Sequence, residues 1–256
     1  MRYKELYEMR MRVIVIFLIM IAGLTFLVAA RPLAVSMMEE MYKDFDQIPE
    51  ALQRLLGDPA MVQRLADDSF YIVSQWQGNN LGQFLPIVVL LIAFPVFARE
   101  TDKGTIFFLL SRINRSTVFW NKVLTGFFVS LALIIVLSLL GPVFMMLGGY
   151  DATFGDSFAI MVHQVISVAL LYFLFTIFSI VFNDQIKPVI TGIAVVLAMP
   201  FASLIDALSF INIYPYIMGE SIINTGKIDW TYSIVLSLMA VGLLFLSYKL
   251  FEKKEF

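Results

Sequence analysis

Val13 to Ala30, Val123 to Leu147 and Phe158 to Phe182 each pass without a single Asp, Glu, Lys or Arg. A soluble helix cannot carry such stretches, because its outer face must offer polar side chains to water on nearly every turn. A bilayer asks for the opposite: about 20 consecutive apolar residues take a helix across about 30 Å of hydrocarbon. Composition agrees, with 60% hydrophobic and 15% charged residues, where soluble domains hold about 25% charged. Mean hydropathy is +0.85. The sequence predicts an all-α integral membrane protein.

Six transmembrane helices are expected: Val13–Ala30, Leu81–Ala98, Val123–Leu147, Phe158–Phe182, Val189–Asp206 and Thr231–Leu250. The first apolar stretch exceeds the 7–15 residues of a secretory signal, which predicts an uncleaved helix. Pro86 and Pro95 fall in the second span and Pro200 in the fifth. A proline there frees a carbonyl and often kinks the helix, as a packing device or as a hinge.

Before the first span, residues 1–12 predict a separate amphipathic helix. Tyr3, Leu6 and Tyr7 share one face, and Lys4, Glu8 and Arg12 share another. Such a helix suits the cytoplasmic interface of the membrane. Residues 31–80 predict an outer helical loop, with short amphipathic helices over 48–57 and 60–66. The rest of the chain, 13–256, reads as one six-span domain.

Charge sets the expected orientation. With both termini cytoplasmic, the inner segments hold four Lys or Arg in 1–12, five in 99–122, Lys187, and three in 249–254. The outer segments hold only Arg31, Lys43, Arg54, Arg64 and Lys227, although the loop over 31–80 carries eight acids. Basic residues collect on the cytoplasmic side, so the prediction is a cell-membrane protein, multi-pass, with both ends inside.

Several functions are disfavoured by what is missing. There is no cysteine and one histidine, which excludes disulfides, thiolate sites and multi-histidine metal centres. A net charge of −2 gives no global basic character for nucleic acid. Gly226-Lys227 resembles the end of a phosphate loop, but Ser221 stands where its first glycine belongs and Ile228 where Ser or Thr belongs. Nucleotide hydrolysis is therefore not expected on this chain. His163 and Asp206, each near the outer end of a span, are the candidate polar residues of a substrate path. Their plainer readings are a histidine hydrogen-bonded to a neighbouring helix and an aspartate reaching the interface.

The segment 99–122 between spans two and three is short and charge-dense, with Ile106 to Leu110 apolar between polar ends. An apolar knob with a charged rim is the anatomy of a docking surface, although an ordinary basic inner loop has the same composition. The run Glu100-x-x-x-Gly104-Thr105, then Leu109-Leu110-Ser111, then Arg115 and Lys122, resembles the signature of ABC-2 type permeases. That family carries a proline after the serine, where this chain has Arg112-Ile113-Asn114. The basic N-terminus, the outer loop and the ending Tyr248 to Phe256 extend the resemblance over nearly the whole chain.

The resemblance implies a permease subunit that pairs with a second permease, often its own copy, and with two cytosolic ATP-binding-cassette ATPases that hold ATP and Mg. The loop would include a coupling helix seated in the ATPase, with Glu100, Lys103, Gly104, Thr105, Leu109, Arg112, Arg115 and Lys122 as its coupling residues. Tyr3, Leu6, Tyr7 and Arg10 would make a second contact from the N-terminal helix. Residues 207–230, apolar yet too broken to span, would form outer re-entrant helices.

The expected function is export of a hydrophobic or amphipathic cargo, such as a peptide toxin, bacteriocin or drug. No cofactor is expected on this chain, and membrane lipid is its remaining partner. Gly78-x-x-x-Gly82 offers a close-approach face for the permease dimer. A proton-coupled secondary carrier would be expected to show internal repeats and paired intramembrane carboxylates, and neither is apparent. A non-transporting membrane scaffold is the remaining alternative.

Overall fold

The computed structural model of the protein describes residues 2–42 and 64–255. Among them there are helices and turns but no strand. The helices are α1 (Arg2–Tyr42), α2 (Asp68–Asp102), α3 (Ile106–Leu110), α4 (Arg115–Leu147), α5 (Gly155–Val181), α6 (Ile186–Ala202), α7 (Tyr214–Ile217), α8 (Glu220–Thr225) and α9 (Trp230–Lys253). A 3₁₀ turn over Asp206–Ile211 precedes α7. Five helices, α1, α2, α4, α5 and α9, are long and apolar enough to cross a membrane, and α6 is a shorter apolar helix. α5 is the hub, packing against α4, α9 and α2.

No break separates residues 2–12 from the first span: α1 runs unbroken for 41 residues. At 1.5 Å per residue it is about 60 Å long, so it projects past a 30 Å hydrocarbon core. The expected junction, Met9 to Val13, contains neither glycine nor proline to stop a helix. The aromatic side of its first turns, Tyr3, Leu6 and Tyr7, is exposed as expected. The charged side is turned only partly to water: Lys4 is exposed, but Arg12 is half-buried. Glu5 is buried and Glu8 half-buried, both facing the protein.

Most of the described residues of 31–80 continue the flanking helices, α1 to Tyr42 and α2 from Asp68. The short helices expected over 48–57 and 60–66 fall almost wholly outside the described residues. The start of α2 carries Ser74, Gln75, Gln77, Asn79 and Asn80, which is why its pattern does not read as a span. Residues Ile72–Gly82 wind as a π-helix. Its looser turn leaves carbonyls for side chains, and Asn80 Nδ2 donates to the Gln75 carbonyl at 2.6 Å.

Buried side chains stand at two of the proline breaks. Pro142 in α4 has no N–H for the carbonyl of Ser138, and Gln77 Nε2 donates to that carbonyl and to the Ser138 hydroxyl. Pro95 weakens α2 in the same way. There the Ser179 hydroxyl of α5 inserts into the ladder, donating to Phe94 O at 2.6 Å and accepting from Phe97 N and Ala98 N at 3.0 Å each. A side chain placed in the ladder is a recognised cause of a kink.

Gly78 and Gly82 are buried within the chain. A Cβ on Gly78 would stand 3.3 Å from the Met218 carbonyl, and one on Gly82 would stand 3.2 Å from Met218 Cα. The close approach is made by the chain's own 214–218 segment, so this face is filled and not open to a second permease. Residues 206–225 fold as short broken helices that bury Ile213, Tyr216, Ile217 and Ile222.

Candidate functional site: the inner helix ends

One end of the bundle, called the inner end because the charge distribution predicts it to be cytoplasmic, is built from the first turns of α1, the end of α2, α3, the start of α4 and the end of α9, and gathers most of the motif residues. Lys122 is its centre. Its Nζ lies 2.8 Å from Glu5 Oε1 and 3.0 Å from Glu100 Oε2. The three side chains are 2%, 4% and 6% exposed, respectively. Around this triad Lys4 reaches Glu100 at 3.3 Å and Glu8 at 3.6 Å, and Arg99 reaches Glu8 at 3.4 Å. Only about 10 Å³ of space is left among these groups, room for a single water at most. Breaking such a buried pair on one side is costly because the remaining charge is stranded. The network therefore fastens α1, α2 and α4 into one unit.

The end of α2 explains the rest of the motif. Gly104 has φ +68°, a left-handed conformation that closes the helix and favours glycine. Its N–H donates to Thr101 O at 3.0 Å, and the Thr105 hydroxyl donates back to the Glu100 carbonyl at 3.4 Å. The five-residue α3 then buries Ile106, half-buries Leu109 and leaves Phe107 and Phe108 exposed at 56% and 69%. Arg112 stacks on Phe108, 5.8 Å from its ring centre, and Lys103 is exposed. Asn114, the last residue of the Arg112-Ile113-Asn114 stretch that lacks the proline, caps α4 by accepting from Thr117 N at 2.8 Å. An asparagine N-cap satisfies one of the free N–H groups of a helix start.

Arg115 turns away from α3. Its guanidinium donates to the carbonyls of Phe251, Glu252 and Lys254 at the end of α9. Lys254 in turn donates to the carbonyls of Ile180 and Phe182 at the end of α5. Cations at helix C-termini meet both unpaired carbonyls and the negative end of the dipole. Beneath them Phe97, Phe119, Tyr248 and Phe251 pack as one aromatic cluster, with the Phe97 and Phe251 rings 4.6 Å apart.

The expected coupling residues thus divide. Glu100, Gly104, Arg115 and Lys122 are structural members that join helices, whereas Lys103, Thr105 and Arg112 are exposed beside Phe107 and Phe108. In the N-terminal set, Arg10 lies over the Tyr7 ring at 3.6 Å, and both face outward with Tyr3 and Leu6. Sequence reasoning missed Glu5, Ser179 and Lys254. A lysine at the edge of an apolar span demands an acid, and that demand was the available signal for Glu5.

The candidate path residues are not brought together. His163 is fully buried on α5 and stacks on Tyr216, with ring centres 4.0 Å apart. The Tyr216 main chain lies beside it, yet neither ring nitrogen makes a well-formed hydrogen bond. Asp206 stands exposed at the start of the 3₁₀ turn. Among the described residues no three His, Asp or Glu side chains converge as a metal site requires.

No curated protein matches the chain. The family described as "Protein of unknown function (DUF2705)" matches residues 63–256, a stretch that holds α2 to α9 and all of the inner motif except its N-terminal partners. The chain belongs to this DUF2705 family.

Proposed function

We propose that this chain is the membrane subunit of an ATP-driven exporter, worked by a separate cytosolic ATP-binding-cassette ATPase. The observation that carries the reading is the contrast within 99–122. Glu100 and Lys122 are buried in a network that joins three helices, while the adjoining α3 presents Phe107 and Phe108 to solvent beside Arg112 and Lys103. An exposed aromatic pair with a basic rim fits a pocket on a soluble partner. A rigid connection behind it fits a lever that passes partner motion into α1, α2 and α4.

In this reading α6 is a sixth, short span, both termini are cytoplasmic, and the chain sits in the cell membrane. A second copy completes the permease across lipid-facing helices such as α1, α6 and α9, all rich in exposed apolar side chains. ATP and Mg are bound and ATP is hydrolysed on the ATPase alone.

The test is purification of the tagged chain from its native membranes in mild detergent, followed by identification of what accompanies it. An ATP-binding-cassette ATPase in stoichiometric yield, lost when Phe107 and Phe108 are both changed to alanine, is the expected result. Purification of the intact chain with no ATPase under any mild condition would remove the reading.

A further inference from the structure

At the opposite end of the bundle, two clefts of about 460 and 490 Å³ open between the π-helical start of α2, the 206–217 segment and α8. They share Asn212, Pro215, Glu220 and Asn224, so they adjoin, and together they are called the trough. Each is about the size of a small-ligand pocket, and together they suit something longer than a single small molecule.

Three features of the lining define the chemistry. First, carboxamides recur along the trough, with Gln75 and Asn79 at one end and Asn212 and Asn224 at the middle. A carboxamide offers both donors and an acceptor, matching the alternating N–H and C=O of an extended peptide. Second, aromatic rings wall both halves: Phe70 and Tyr214 in one, and Phe210, Tyr216 and Tyr232 in the other. Third, the charged lining is acidic. Glu220 and Asp229 face the trough, and the neighbouring Arg64 sits at its rim, bonded to the Ile223 carbonyl.

One further observation bears on the kind of ligand. At the rim, Arg64 lies 4.1 Å over the Phe70 ring and donates to the Ile223 carbonyl at 2.7 Å. The molecule thus already holds one arginine on this wall by a ring face and a main-chain oxygen, the mode in which a guest arginine or lysine would be held.

We propose that this trough binds a short basic, amphipathic peptide segment: its main chain on the carboxamides, an apolar side chain on the aromatic wall and a cationic side chain at Glu220 and Asp229. The proposal deepens the exporter reading by naming the class of cargo. Binding is measured without any ATPase, so its failure is separate from failure of that reading.

The experiment titrates a capped leucyl-lysyl-phenylalanyl-arginyl-leucine pentapeptide against the full chain in nanodiscs of zwitterionic lipid. Two comparison peptides carry norleucine or glutamate in place of both basic residues. The variant is Glu220→Gln with Asp229→Asn. The asparagine is chosen because Asp229 caps α9, accepting from Tyr232 N at 3.0 Å, and asparagine caps equally well. The expected result is saturable binding of the basic peptide, weakened at least tenfold by norleucine, by the double variant and by high salt.

Absence of saturable binding would overturn the proposal. So would equal binding of the glutamate peptide, or displacement by glycerophosphocholine at matched concentration, which would mark a lipid-headgroup site. Because the peptide series uses the wild-type chain, the proposal can fail even where the double variant does not fold.

Discussion

The two ends of this bundle are both held by charge, yet they are built to opposite tolerances. At the inner end, Glu5, Glu100 and Lys122 are nearly sealed from solvent and leave about 10 Å³ between them and their neighbours. At the outer end, Arg31 joins α1 to α2 through an ion pair with Asp68 and a 2.8 Å bond to Ala66 O. It also lies over the Tyr71 and Tyr150 rings. Beside this clamp the helix starts and short helices leave clefts of about 460 and 490 Å³. Tight packing transmits displacement, because a close-packed contact cannot absorb it. An open, polar, aromatic trough accommodates a guest. Under the proposed exporter reading, the contrast suits force transfer at one end and ligand contact at the other.

The comparison breaks most readily at Lys122. Replacing it with methionine strands Glu5 as a buried, unpaired carboxylate and leaves Glu100 only the half-exposed Lys4, at a cost of about 3–5 kcal/mol. The expected result is a large fall in thermal midpoint in detergent, partly restored when Glu5→Gln and Glu100→Gln are added. A midpoint unchanged in Lys122→Met would show that the inner network is not the fastening described.

The matching change at the outer end is Arg31→Met. Arg31 and Asp68 are 11% and 21% exposed, wetter than the inner triad, so the expected loss is smaller, about 1.5–3 kcal/mol. A loss exceeding that of Lys122→Met would invert the ranking of the two ends.

Phe107→Ala with Phe108→Ala sharpens the contrast in another way. Both rings are exposed, and surface changes usually stay within about 0.5 kcal/mol. Stability should hold while ATPase association is lost; a folded double variant that still retains the ATPase would place the contact elsewhere.

The smallest expected effect lies on the inner turn before α6. The Lys187 main chain, Lys187 Nζ and the Ile186 N–H hold the Asp184 carboxyl below its ordinary range. A depressed carboxyl contributes stability above its unfolded pKa of about 4 and loses it as pH falls through the folded value. Asp184→Asn should therefore flatten, slightly, the fall in thermal midpoint between neutral and acid pH. An identical pH profile would show that the cap carries no acid linkage.

Much of this was legible from periodicity and charge. The apolar runs locate the cores of the long helices, and the helical spacing of Tyr3, Leu6 and Tyr7 marks the outer face of α1. What those runs do not show is what the charged face meets. Glu5 and Lys122 are 117 residues apart, and their pairing exists only once α1 and α4 pack together. The polar start of α2 reads as a loop because its carboxamides look solvated. In the fold Gln77 instead fills the gap left by Pro142 and also donates to Ser157 O at 3.0 Å. Gly78 and Gly82 do mark a close approach, but spacing alone does not distinguish a second copy from Met218 of the same chain. The outer trough was the least legible feature, since its lining is assembled from segments far apart in the chain.

The central claim is that α3 is the contact through which an ATPase drives this chain. The chain has no cysteine, so Phe108→Cys supplies a unique thiol at the tip of α3. The decisive measurement is thiol cross-linking of that variant in native membranes, with Phe154→Cys at the outer turn as the comparison. The account predicts a covalent adduct with an ATP-binding-cassette ATPase from position 108 and none from 154. Absence of any ATPase adduct from 108, in a variant that inserts and folds normally, would contradict it.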